Sequence, residues 1–414
     1  MGSYHACLGV PNAFSQLSPV VAILPAIALG WILYDGDRGK RMSAFIGGIC
    51  HRDIITMCLI FLLAGAFCQV TQDIGSIQSM VNLSISLIPP RFLLIGIFLV
   101  SAFVSTAIGT SMGTIAAIGP IAAAMGNQTG FPCAMALATV VGGAMFGDNL
   151  SFISDTTIAA ALSQGAEIRE KFKFNLPIAA AAAATTVLML LCFSNGKTAI
   201  SGGTYSPILI VPYFFLLGCA LCGMNVLLVL FASIAVAGLI GIFSNYDYGF
   251  IAFSSSICHG FESMHELMIL TMFVGGLSGL FSKDFMGKVS NALATWSFSS
   301  GHGKKIAQLL IGTLVSVFDL LLANNTVAII FCGDICREIS QKNSIKPHIS
   351  ATWMSIFSCI FQGIIPYGPQ LMLAGVIGEI SPIAIMPRVF YCYLLFAGAL
   401  FAILRGESVR KNIR

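Results

Sequence analysis

The chain has 414 residues, 57% of them hydrophobic and only 9% charged, with a mean hydropathy of +0.90 and a formal net charge of +4. A soluble protein carries about 25% charged residues, so a soluble fold of this polarity could not cover its surface, and nucleic-acid binding proteins, secreted disulfide scaffolds and ordinary cytosolic enzymes are excluded. The composition implies an all-α, polytopic protein of the lipid bilayer, with a charge too small to call for a polyanionic partner. Most of the thirteen cysteines sit inside apolar runs and read as free, buried thiols.

Residues 1–16 have neither a basic n-region nor an apolar h-region, so no cleaved signal peptide is expected there and the first spanning helix directs insertion. A helix crossing the hydrocarbon core needs about 20 apolar residues. Plain candidates fall near 17–35, 54–72, 175–195, 206–222, 225–246, 263–281 and 386–404. Two longer stretches, 133–163 and 350–375, carry GDNLSFISDTT and QGIIPYGPQ at their centres and read as helices broken at mid-membrane. Two others, 92–126 and 306–336, are interrupted by GTSMGT and ANNT and read as re-entrant hairpins.

Lys and Arg accumulate on the cytoplasmic side of a bilayer. With nine crossings and two hairpins, the loops 36–53, 164–174, 282–305 and 337–349 and the tail from 405 share one side and hold 18 of the 21 basic residues. Only Arg91, Lys197 and Arg388 fall opposite. The N-terminus is therefore expected outside and the C-terminus in the cytoplasm.

The halves also resemble each other. Gly65 aligns with Gly276, Asp73 with Asp284, Thr114 in TIAAI with Thr326 in TVAII, and Phe146 with Phe361, in order and at slowly drifting offsets. Five crossings separate each pair, so the repeats are expected to be inverted, as in many secondary transporters. The first occupies 1–195 and the second 206–404, followed by a cytoplasmic tail at 405–414. Pro25 pairs best with Pro212, leaving 225–246 without a counterpart.

Each half thus supplies one hairpin tip and one helix break. Such polar interruptions survive in lipid only where they are buried or line a cavity. The tips offer Thr110, Ser111 and Thr114 with Asn324, Asn325 and Thr326; the breaks offer Asp148, Asn149, Ser151, Ser154, Asp155, Thr156 and Thr157 with Gln362, Tyr367 and Gln370. Exposed carbonyl, hydroxyl and carboxylate oxygens suit a hard cation such as Na⁺, whereas free amides at half-helix N-termini suit an anionic group. Asp148, Asp155 and Asp319 are carboxylates with no Lys or Arg in their own segments, so a site holding either Na⁺ or H⁺ follows, with Asp155, Thr156 and Asn325 as the foremost Na⁺ ligands. Blander roles are open too: Asp148 as a helix N-cap, Asp319 bonded to hairpin backbone, and Ser and Thr hydroxyls bonded to the preceding turn. His265 and Glu266 read as interfacial.

GTSMGTIAAIGP followed by GDNLSFISDTT resembles the NhaC family of Na⁺/H⁺ antiporters, with TGTSWGT-like and GDKLSPLSDTT-like segments in that order. The resemblance is specific over about 105–163. Met112 stands where that pattern has Trp, Asn149 where it has Lys, and Phe152 where it has Pro, which removes a salt-bridge partner for Asp148 or Asp155. The resemblance implies a homodimer, elevator-type movement and, in some relatives, malate–lactate exchange or amino-acid uptake. The expected function is secondary active transport exchanging Na⁺ for H⁺ across the cytoplasmic (inner) membrane, without a resident cofactor. The alternative is a Na⁺-coupled carrier of a small carboxylate or amino acid. An intramembrane protease using Asp148 and Asp319 has only Gly-Asp of its signature, and neither an HExxH zinc site nor a phosphate-binding loop occurs in the sequence.

Overall fold

The computed structural model describes residues 19–34, 38–87, 89–129, 131–152, 154–193, 204–222, 224–244, 248–280 and 303–405. Within them every regular element is helical. In chain order these are α1 (Leu24–Leu33), α2 (Arg41–Ile49), α3 (Arg52–Asp73), α4 (Ser76–Leu87), α5 (Leu93–Ile108), α6 (Ser111–Thr129), α7 (Cys133–Leu150), α8 (Asp155–Gln164) and α9 (Ile168–Phe193). They continue with α10 (Pro207–Leu221), α11 (Val226–Ser244), α12 (Phe250–Leu280), α13 (Gly303–Leu322), α14 (Asn325–Lys342), α15 (Pro347–Gln362), α16 (Pro369–Ile377) and α17 (Phe390–Arg405).

Among the described residues six helices are long and apolar enough to cross a bilayer, and Pro369–Ile377 with Pro382–Arg388, bent by 101°, makes a seventh if taken as one span. Shorter apolar helices, including Leu93–Thr106, Ser111–Gly126 and Phe390–Arg405, complete the set from which the expected crossings and hairpins are drawn. Large apolar side chains such as Phe103, Leu188, Phe243, Ile251 and Phe401 are exposed, as a lipid-facing surface requires and a watery one would not tolerate over so wide an area.

Four interruptions organise the interior. Gly109, at φ +76°, ends α5 in the left-handed conformation that a Cβ disfavours, and its N–H reaches the Ser105 carbonyl at 2.8 Å. The corresponding residue after α13 is Ala323, also left-handed at φ +47°, followed by Asn324, whose side chain caps α14 by accepting the Val327 N–H at 3.0 Å. The third break separates α7 from α8, and the fourth, 363–368, separates α15 from α16, which starts on Pro369 where a missing N–H costs nothing.

Small residues let backbones touch. A Cβ on Gly65 would meet the Gly260 carbonyl, and one on Gly48 would meet Gly275 and lie 2.8 Å from the Gly279 nitrogen, so α12 lies directly against α3 and α2. A Cβ on Gly143 would lie 2.6 Å from the Phe98 carbonyl, which seats α7 equally close to α5.

Several sequence boundaries move. The basic stretch 36–53 is not only loop: Arg41–Ile49 is α2, whose glycines pack it on α12. The span expected from 263 begins at Phe250, because FSSSICHGFESMHE continues one helix, and His265 and Glu266 are exposed in its middle rather than at its start. Residues 164–174 are not wholly loop either, since α9 begins at Ile168 and Lys171 is buried. Asp284, the loop 282–302, Lys197 and the tail beyond Arg405 lie outside the described residues.

Candidate functional site

The site is built around Asp148, two residues before the end of α7 and 5% exposed. Ser111, the first residue of α6, donates its hydroxyl to Asp148 Oδ2 at 2.8 Å. On the other side Ser154 donates to Oδ1, and Thr156 reaches the same oxygen at 3.3 Å, with 2.7 Å between the two hydroxyls. Asp148 is therefore not an N-cap of α8; that place belongs to Ser154, and Asp148 gathers side-chain hydroxyls instead. Hydrogen bonds to a charged group contribute about 1.5–3 kcal/mol each. Three of them offset the few kcal/mol that a lone carboxylate costs inside a bilayer.

Asp148 forms part of the wall of a cavity of about 720 Å³. The same wall includes Thr110, Ser111, Ser154, Asp155, Thr156, Asn325, Thr326 and Gln370, so both hairpin tips and both helix breaks meet at one space. Asp155 opens α8 and is exposed towards this cavity rather than buried among hydroxyls. His51 and Arg52 line the cavity too. No Lys or Arg lies in the segments of these carboxylates, but chain-distant Arg52 shares the cavity wall with Asp148 and Asp155.

The other sequence candidates have other partners. Thr114 returns its hydroxyl to the Thr110 carbonyl at 3.0 Å, the bond that membrane helices commonly offer a threonine. Asn149 belongs to a second polar cluster: Asn175 donates to its Oδ1 at 2.9 Å and its carbonyl at 3.0 Å, and Ser355 donates to Oδ1 at 3.2 Å. Thr157 accepts from the Lys171 ammonium at 2.8 Å, and the same ammonium stands 3.5 Å from the Asn149 carbonyl. Ser151 is buried in the break, its N–H bonded to the Gly147 carbonyl at 2.8 Å. Asn324 is a helix cap, and Asn325 Oδ1 accepts the Thr326 N–H at 3.0 Å.

Lys171, Asn175 and Ser355 were missed by the sequence reading. A signal for two of them exists, because Lys171 and Asn175 are one turn apart on the stripe Lys171, Asn175, Ala179, Ala182, Thr186 and Leu190 that α9 buries. Counting Lys171 as a loop charge concealed it. Where the NhaC-like pattern would have a lysine and this chain has Asn149, an ammonium thus arrives from the neighbouring helix.

From Ser111 a chain of hydrogen bonds continues into the second half. Gln370 donates to Ser111 Oγ at 3.2 Å, and Gln362 donates to Gln370 Oε1 at 2.8 Å and to the Ala323 carbonyl at 3.2 Å. All four interruptions are linked through it. Beyond Gln362 lies Asp319, fully buried, with no side chain hydrogen-bonded to its carboxyl and the Gln362 backbone beside it.

The profile of the Na⁺/H⁺ antiporter family matches residues 40–194, a range that contains the first hairpin, Asp148 and Lys171. An uncharacterized Na⁺/H⁺ antiporter of Haemophilus influenzae is 24% identical over 463 aligned residues, spanning 96% of each chain. The malate-2H⁺/Na⁺-lactate antiporter of Bacillus subtilis is 21% identical, over 94% of this chain and 87% of its own. The Na⁺/H⁺ antiporter NhaC of Bacillus subtilis is 24% identical, over 82% and 81%.

Proposed function

We propose that this chain is a member of the NhaC family of Na⁺/H⁺ antiporters, whose profile and relatives it resembles, and that it exchanges Na⁺ for H⁺ across the cytoplasmic membrane, with Asp148 as the carboxylate for which the two ions compete. The observation that carries this reading is the buried Asp148 carboxylate, held by three hydroxyls at the wall of a cavity that reaches all four interruptions. Ser111, Ser154 and Thr156 donate to the carboxylate and keep lone pairs for a cation, an oxygen-only set that suits Na⁺. Asp155, exposed to the same cavity, draws cations in, and Asn325 and Thr326 complete the wall. When Asp148 is protonated, the charge that holds Na⁺ is gone, so acidification weakens Na⁺ binding.

In the same reading the two tips and two breaks move as one body against the frame of α2, α3 and α12 in an elevator-type cycle. The chain is an inverted repeat and works as a homodimer, with its N-terminus outside. A reporter at Lys197 is then labelled from outside and one at Lys342 from the cytoplasm; labelling of both from one face would overturn the topology. The Na⁺-coupled organic-anion alternative is not favoured, since the relative whose name carries malate and lactate is a distant one.

The test is pH change inside proteoliposomes containing only inorganic salts. A Na⁺-dependent response without any organic solute supports exchange. No response, together with Na⁺-driven uptake of a carboxylate or amino acid, would overturn it.

A further inference from the structure

The two oxygens of Asp148 are held differently. Oδ1 takes Ser154 and Thr156, which follow Asp148 in the chain and belong to the same break. Oδ2 takes Ser111 at 2.8 Å, and behind Ser111 stands Gln370, the second residue of α16, whose Nε2 is 3.2 Å from the Ser111 hydroxyl. Gln362, the last residue of α15, comes next, with its Nε2 2.8 Å from Gln370 Oε1 and 3.2 Å from the Ala323 carbonyl. Ser111 and Gln370 are each 2% exposed and Gln362 is 0% exposed, so this row is shielded from solvent.

The direction of every bond in the row is imposed from both ends. A charged carboxylate only accepts, so the one hydroxyl hydrogen of Ser111 is spent on Asp148. Gln370 must then face Ser111 with its amide nitrogen, which turns Oε1 towards the Gln362 nitrogen. At the far end the Ala323 carbonyl demands a donor as well, and receives the same Gln362 nitrogen. Turning Gln362 over would set its oxygen against the Gln370 oxygen and the Ala323 carbonyl; turning Gln370 over would set nitrogen against nitrogen. The arrangement has a cost, since Gln362 Oε1 is left buried without a partner, a deficit that buried amides seldom carry.

The same geometry separates two roles for Gln370. It lines the Asp148 cavity, but its oxygen, the atom that a cation would need, is engaged by Gln362, and its nitrogen is turned to Ser111. We propose that Gln370 is a positioning residue rather than a Na⁺ ligand: it fixes the Ser111 hydroxyl so that the hydrogen stays on Asp148 and one lone pair is left for Na⁺, and Gln362 fixes Gln370 in turn. The inference rests on the reading of Asp148 and Ser111 as part of the Na⁺ site. The second half of the chain thereby completes a site whose ligands around Asp148 come from the first. A ligand held in its binding orientation before the ion arrives costs less to order when it does.

Equilibrium binding of ²²Na⁺ to the full-length protein in lipid nanodiscs, at an alkaline pH where H⁺ competes least, tests this. Gln370→Met should weaken Na⁺ binding about fivefold, the scale of one neutral hydrogen bond. Gln362→Met should weaken it too, by about twofold, because Gln370 is then free to turn; were Gln370 a ligand, releasing its oxygen from Gln362 would tighten binding instead. In a Ser111→Ala background Gln370→Met should have no further effect, whereas in a Ser154→Ala background its effect should persist, a pattern of coupling that general loosening of the fold would not produce. If Gln370→Met does not fold, the sign of the Gln362→Met effect decides. Tighter binding in Gln362→Met, or a Gln370→Met deficit that survives Ser111→Ala, would overturn the proposal. Should these effects appear while salt-only vesicles show no exchange, the exchange reading fails and the role of Gln370 stands; should exchange occur with Na⁺ binding to Gln370→Met equal to that of the wild type, this inference fails alone.

Discussion

Among the described residues two aspartates are buried, Asp148 and Asp319, each close in the chain or in space to a hairpin tip, and their surroundings differ. Asp148 is surrounded by hydroxyl donors and opens on a large cavity; Asp319 is fully buried, with no hydroxyl donor at its carboxyl and only the Gln362 backbone beside it. Hydroxyl donors stabilise a negative charge, so the same residue type is placed in two different electrostatic settings in the two halves. The lesson is that burial in a helix beside a polar interruption does not by itself decide how a carboxylate is solvated. That is decided by groups from elsewhere in the chain: Ser111, 37 residues before Asp148, and Gln362, 43 residues after Asp319.

The sharpest way to break the contrast is Asp148→Asn. Losing the charged partner of a buried cation costs about 2–5 kcal/mol, so the apparent Na⁺ affinity in a pH-change assay should fall by at least ~30-fold. Asp155→Asn, at an exposed position, should lower it only a few-fold. Equal effects would return Asp155 to the central place that the sequence alone assigned it.

Next comes Lys171→Met. The Lys171 ammonium and Asp148 act on one another electrostatically, and a fixed positive charge there competes with Na⁺. Removing it should tighten Na⁺ binding by about fivefold, equivalent to about 1 kcal/mol, read by isothermal titration. Weaker Na⁺ binding would mean that Lys171 holds Asn149 and Thr157 in place rather than opposing the ion.

The smallest effects concern the hairpin tips. Gly109→Ala forces a Cβ into the left-handed region and should lower thermal stability in detergent by about 1–2 kcal/mol. Ala323→Gly removes that strain but adds unfolded-state entropy of about 0.5–1 kcal/mol, so its net change should stay within about 1 kcal/mol. A large loss on Ala323→Gly would show that the Ala323 methyl packs against something essential.

Much of this architecture was legible. The interruptions after Ile108, Leu150, Leu322 and Gln362 were visible because small polar residues break long apolar runs, a pattern with one physical meaning in a bilayer. The parts that escaped were those where composition and environment disagree. The start of α12 is rich in Ser, His and Glu, yet forms one helix with the apolar run after it. Helix α2 hid in a basic, glycine-containing stretch because its reason to be helical is a neighbour's backbone, which local propensity cannot express. Lys171 read as a loop charge because its partners, Thr157 and Asn149, lie on other helices. The choice between Asp148 and Asp155 turned on exposure, which their spacing of seven does not reveal.

The glycine contacts of α12 have a mechanical consequence. Where main chain meets main chain, as Gly65 meets Gly260 and Gly48 meets Gly275 and Gly279, no side chain intervenes to lubricate a slip. Sliding α12 by one helical turn, about 5.4 Å, would bring Ser256 or Met264 to the place of Gly260, a notch cut for a hydrogen atom. Helices α2, α3 and α12 are therefore interlocked like a key in its ward, stiff along their common axis. Any shear that carries an ion must run along surfaces with ordinary side chains, and a bulky residue such as Gly260→Leu should jam the assembly of the frame before it slows any moving part.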